Sequence, residues 1–211
     1  MLNDNHARAP QWRRLLGEYL VPRLGGTPEA WAWANVGAFA RSWERIVARL
    51  EVAGTSGGVD AWTRQDRRMW LLDMCEQVGV PAPAEPEEYA IALGRWVRER
   101  VHAEIPGAAD AVRSLAARGL RLHMASGGQS WELDACLRAM GIRDHFDRLY
   151  GPDLVDRYKN GPHFYEAILA DSRADPATAA VVESSAQVRE WASSLGIRSF
   201  ASLTDLMTAL G

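Results

Sequence analysis

The sequence predicts an α/β protein in two parts: a helical region over residues 1–105 and a parallel-sheet core over 106–211. Three observations carry this. Apolar residues recur at helical spacing as far as Pro106. Beyond it, helical segments alternate with apolar runs of two to six residues. Glycines at 119, 141 and 196 then stop the helices, as a left-handed C′ residue does. Such alternation implies parallel strands joined by right-handed crossovers, with helices on both faces.

In chain order, Trp12, Leu15, Leu16, Tyr19 and Leu20 mark a first helix, followed by Pro22 and the Gly25-Gly26 break. A second helical stretch runs through Trp31, Val36, Phe39, Trp43, Ile46, Val47 and Leu50 into a loop at Gly54–Gly58. Val59–Val78 gives a third, before the loop Pro81–Pro86, and Tyr89–Val101 a fourth. The second part reads as helix Ala108–Arg118, strand Leu120–Ala125, helix Trp131–Met140 and a minimal strand Leu149-Tyr150. Helix His163–Ala170, strand Ala179–Val182, helix Val188–Leu195 and strand Ile197–Phe200 complete it.

Composition narrows the function. With 47% hydrophobic residues, 24% charged and a net charge of −3, the 211-residue chain is globular and weakly acidic. That balance excludes nucleic acid as the main partner, which would demand concentrated positive charge. No apolar run is long enough to span a membrane, and no signal-peptide pattern opens the chain. Two cysteines, Cys75 and Cys136, sit in apolar helical stretches, which suits a reducing cytoplasm. The nine tryptophans suit a helical core or a homodimer contact better than a base-stacking platform.

Ligands of open parallel sheets bind beyond the carboxyl ends of the strands, so the residues there are the candidates. Ser126-Gly127-Gly128 follows the first strand, a hydroxyl and two small residues that let backbone N–H groups approach an anion. By itself it is equally a turn. Lys159 is the only lysine among 24 basic residues, which suggests a place where a compact point charge is required. Glu183-Ser184-Ser185 follows the strand Ala179–Val182; a carboxylate there can ligate a hard cation, or simply cap the next helix.

Hydroxyl, lysine and carboxylate in this order, over residues 106–200, closely resemble the haloacid dehalogenase-like (HAD-like) hydrolase superfamily, whose core is a Rossmann-like parallel sheet. In that resemblance Leu122–Ser126 looks like the second motif, whose hydroxyl holds the transferring phosphoryl group. Lys159 looks like the third, and Val181–Ser185 like the fourth, the acidic metal-binding motif. Phe146–Leu154 and Trp191–Ile197 also read like the family's surroundings, and residues 8–104 match its helical cap in length and helicity.

The resemblance implies catalytic roles for Ser126 and Lys159, phosphate binding by Ser126, Gly127, Gly128 and Lys159, and a metal ligand in Glu183. The implied activity is a Mg²⁺-dependent phosphatase acting on a small phosphorylated metabolite through an aspartyl-phosphate. The family's first motif, a strand ending in Asp-x-Asp, is absent from this chain, and Met1–His6 resembles the segment just after it. Neither Asp4 nor Asp60 follows an apolar strand. Glu183 stands for the usual aspartate and Gln187 where a second acid is common, so Mg²⁺ binding is expected to be weak or absent. The chain as given is therefore expected to be inactive. The alternative is a non-catalytic relative that binds a phosphorylated ligand or a protein. A carbon–halogen hydrolase, which needs no metal, is a third reading, against which Glu183 speaks. The missing strand is central in this fold, so the expected order is Ile197–Phe200, Ala179–Val182, a slot of roughly 9.6 Å, Leu120–Ala125, Leu149-Tyr150.

Overall fold

The computed structural model describes residues 2–53 and 57–211, and the chain divides into two compact units. One runs from Asn5 to His102; the other joins the N-terminal residues through Asp4 to Ala103–Gly211. The loop expected at Gly54–Gly58 lies partly outside the described residues.

The first unit holds α1 (Asn5–Leu24), α2 (Pro28–Ala53), α3 (Val59–Val78) and α4 (Pro86–Arg98). Helix α1 continues through Pro22, because a proline in the last turn removes only one backbone bond. Helix α4 starts three residues before the expected Tyr89. Pro86 at its first position, Glu87 and Glu88 in its first turn and Arg95 and Arg98 in its last suit the helix dipole at both ends. Leu16, Leu20, Trp31, Leu71, Met74, Leu93 and Val97 form the buried interior. Trp31 Nε1 donates to Gly25 O at 2.8 Å. The next residue, Gly26, has φ +77°, and a Cβ there would lie 2.6 Å from Val78 Cγ1, so a side chain is excluded on both counts.

The second unit holds α5 (Ala108–Ala117), β1 (Leu122–Ala125), α6 (Ser130–Ala139), β2 (Phe146–Tyr150), α7 (Pro152–Val155), α8 (Pro162–Ser172), β3 (Ala180–Val182), α9 (Ala186–Ser193), β4 (Arg198–Phe200) and α10 (Leu203–Ala209). Strand β1 begins at Leu122 and not Leu120, because Leu120 N bonds back to Leu115 O behind the left-handed Gly119. Strands β1 and β2 pair in parallel, with Ala125 opposite Tyr150. Strands β3 and β4 also pair in parallel, with Val182 opposite Phe200.

Both expected pairings are present, and they form two separate two-stranded sheets with no ladder between β1 and β3 among the described residues. Two clusters pack on them: the first takes Leu122 and Met124 of β1, the second Val181 of β3 and also Ala125 of β1. Val112, Leu133, Leu137, Ile142, Phe146 and Leu149 are central to the first; Phe164, Tyr165, Ala192 and Ile197 make the second. Among the described residues, none of 2–8 forms a strand between them. Leu2 joins the first cluster, Asn3 bridges antiparallel to Glu104, and α1 starts at Asn5.

Candidate anion site

The two half-sheets end alike. One residue past β1, Ser126 N donates to Tyr150 O at 3.0 Å; one residue past β3, Glu183 N donates to Phe200 O at 2.9 Å. The backbone of each candidate is thus fixed by the neighbouring strand. Lys159, in the loop before α8, connects the two ends. Its Nζ donates to Glu183 Oε2 at 2.7 Å and, more weakly, to Ala125 O at 3.4 Å, the carbonyl just before Ser126. Both charged side chains are largely buried, 13% exposed for Lys159 and 15% for Glu183.

Burial alone would raise the Glu183 carboxyl. Lys159 outweighs it, with help from Ser185 N and the Ser184 hydroxyl, and holds the group below its ordinary value of 4.5. Tyr165 of α8 lies beneath the ammonium, its ring centroid 5.9 Å from Nζ, and burial together with the Glu183 charge pushes its phenol upward. Arg189 of α9 donates to Glu183 O and Ser184 O, both at 2.7 Å, and Ser185 caps α9 by accepting from Val188 N. Hence Glu183-Ser184-Ser185 is both a helix start and a partner for Lys159.

The glycine loop after β1 is more committed than its sequence suggests. Gly128 N donates to Ser126 Oγ at 3.2 Å, which leaves the Ser126 hydroxyl proton and the exposed Gly127 N–H for a ligand. The start of α6 is closed to an anion by two carboxylates. Glu132 Oε2 accepts from Gln129 N at 2.9 Å, while Asp153 accepts from Ser130 N at 2.8 Å and from its hydroxyl. Gly151 presses on this loop. A Cβ there would lie 2.5 Å from Gly128 O and 2.6 Å from Ser130 N, both backbone atoms. Sequence reasoning gave Gly151, Asp153, Tyr165 and Arg189 no role in the site. The run Tyr150-Gly151-Pro152-Asp153, read only as family surroundings, was the available signal for two of them.

The donor set does not fit the implied Mg²⁺. Among the described residues no three His, Cys, Asp or Glu side chains gather into a metal-binding group. Glu183 has one oxygen on an ammonium and the other on Ser184 and Ser185. Magnesium demands near-octahedral oxygen donors, and here the Lys159 ammonium already occupies Glu183.

A family model described as haloacid dehalogenase-like hydrolase matches residues 20–187, which include Ser126, Lys159 and Glu183. An (S)-2-haloacid dehalogenase of Pseudomonas sp. strain YL is 33% identical over 92 residues, 44% of this chain and 38% of that protein, so the match spans less than half of either. The solved structure of a defluorinating L-2-haloacid dehalogenase superposes with a TM-score of 0.67 at 15% identity, covering 97% of this chain and 89% of that one. A HAD phosphatase from Thermococcus onnurineus gives 0.55 at 16%, covering 100% and 94%. The structural likenesses extend the fold to nearly the whole chain, and the family match spans most of it: this protein belongs to the haloacid dehalogenase-like hydrolases.

Proposed function

We propose that Ser126, Gly127 and Lys159 hold the anionic group of a small monoanionic substrate, a 2-halocarboxylate being the class that fits, with Glu183 setting the charge of the site. The observation that carries this is the 2.7 Å pair between Lys159 and Glu183. The pair is neutral as a whole. A phosphomonoester brings a charge of about −1.5 to −2 at neutral pH and would face the Glu183 carboxylate with no dication to offset it. A carboxylate adds a single charge to the neutral pair, less than a phosphomonoester does, and the ammonium, one hydroxyl and one N–H can donate to it. The partial identity to a 2-haloacid dehalogenase supports the same class.

Displacing halide requires an attacking oxygen, and the one acid bonded to Lys159 is held in an ion pair. On this reading Lys159 and Glu183 serve binding rather than attack, and the 211-residue chain is expected to bind the substrate without turning it over. The helical unit, in this reading, corresponds to the family's cap domain.

A second reading, the Mg²⁺-dependent phosphatase, draws on the acid at position 183 and on the fold shared with a HAD phosphatase. Calorimetric titration separates the two. Binding of 2-chloropropionate that is indifferent to Mg²⁺ and lost in Lys159→Ala is the expected result. Phosphate binding that requires Mg²⁺, with no 2-chloropropionate binding, would overturn the first reading in favour of the second.

A further inference from the structure

The loop that carries Lys159 is gripped from outside the anion site by His163, the second residue of α8. Its Nε2 lies 3.2 Å from Tyr158 O and 2.9 Å from Asn160 Oδ1. A carbonyl oxygen only accepts, so Nε2 carries the proton and donates to both. Tyr158 and Asn160 stand on either side of Lys159 in the chain. One imidazole N–H thus holds the backbone before the lysine and the side chain after it.

The grip has a fixed base. Pro162 opens α8, Phe164 N donates to Gly161 O at 3.3 Å, and Phe164 and Tyr165 are buried in the second core cluster. His163 therefore ties the loop to an anchored helix. That matters for a lysine, whose flexible four-carbon stem lets its charge wander unless the backbone beneath it is held.

The same ring accounts for Gly161. Its φ of −179° and ψ of 178° are extended backbone that any residue adopts. Yet a Cβ there would lie 2.7 Å from His163 Cε1 and 2.8 Å from His163 Nδ1. The imidazole, and no demand of the backbone, keeps this position free of a side chain. A methyl group at 161 would push the ring off Tyr158 O and Asn160 Oδ1 without changing any atom of His163.

We propose that His163 is a positioning residue for the anion site: its Nε2–H fixes the loop on both sides of Lys159 and so aims the ammonium. The proposal rests on Lys159 being the cation that meets the ligand. Two measurements keep the parts separate. The side-chain NMR signal of the only lysine reads the grip without ligand, and calorimetric titration with 2-chloropropionate reads the site. His163→Ala and Gly161→Ala should each shift and broaden the Lys159 signal in the ligand-free protein. Each should also weaken 2-chloropropionate binding about tenfold. The double variant should be no weaker than either alone, since both remove the same contact. His163→Gln should restore most of the signal and the affinity, because its amide N–H groups can serve the same two oxygens. A Lys159 signal unchanged in His163→Ala overturns the proposal. So do losses that add in the double variant, and so does a His163→Gln protein no better than His163→Ala. If the ligand-free signal responds as expected but the parent protein binds no 2-chloropropionate, the grip stands and the proposed ligand falls.

Discussion

Replacing Lys159 by alanine leaves the Glu183 carboxylate in a largely buried position without its cation. Removing one partner of a buried pair typically destabilises by about 3–5 kcal/mol. Here Glu183 keeps its bonds from Ser184 and Ser185 and neither side chain is wholly sealed, so about 2–3 kcal/mol is expected near pH 7. The pH dependence is the sharper consequence. In the native protein the Glu183 carboxyl is held below 4.5, so its contribution is present above that pH and is lost as pH falls through the depressed value. In Lys159→Ala burial dominates and the carboxyl is raised. Its folded state is then favoured when protonated, and stability is lost as pH rises through the raised value. The two proteins should therefore differ most at neutral pH and converge in acid. In urea denaturation, with a slope of about 2 kcal/mol/M, the variant's midpoint should fall by about 1 M at neutral pH and by less than half that well below pH 4.5. Lys159→Met combined with Glu183→Gln should recover most of the loss. Equal losses at both pH values would refute the charge argument, and no loss at neutral pH would refute the pair.

Other outcomes follow from the same contacts. The 211-residue chain should release neither halide from 2-chloropropionate nor phosphate from a generic phosphomonoester, since Glu183 is tied to Lys159, Ser184 and Ser185 and a site without a free attacking oxygen is slower by several orders of magnitude. Turnover that disappears in Lys159→Ala would show that another group attacks. Gly151→Ala should lower stability by about 1–3 kcal/mol in thermal denaturation, since its Cβ meets two backbone atoms of the loop before α6; an unchanged Tm would mean the loop yields freely. Asp153→Ala strands Ser130 N at the start of α6 and should lose about 1–3 kcal/mol, against about 1 kcal/mol for the simpler cap in Ser185→Ala. Equal losses would mean that Asp153 acts only as a cap.

What the sequence revealed was mainly local. Lys159 stood out because it is a single lysine among arginines, and β3 because its apolar run ends abruptly in Glu183 and a serine cap. Strand β2 was read short. Asp147 and Arg148 interrupt its apolar run, yet a parallel ladder needs only backbone, and both are exposed. Helix α10 was not expected over Thr204, Asp205 and Thr208. A Ser202 cap and one buried residue, Leu206, hold it. The closing of the α6 start by Asp153 was out of reach, because the two lie 23 positions apart and meet only through the fold. The same holds for the clash that forbids a side chain at Gly151. The split into two sheets followed the expected pairings, since each pair is set by a neighbouring crossover.

Because Lys159 is the only lysine, selective isotope labelling of lysine gives one side-chain NMR signal that reports on the proposed anion site. Titration with 2-chloropropionate in the absence of Mg²⁺ should move that signal along a saturable curve. Mg²⁺ alone should leave it in place, and Glu183→Gln should shift its starting position. A signal indifferent to 2-chloropropionate, but moved by phosphate only when Mg²⁺ is present, would contradict the account.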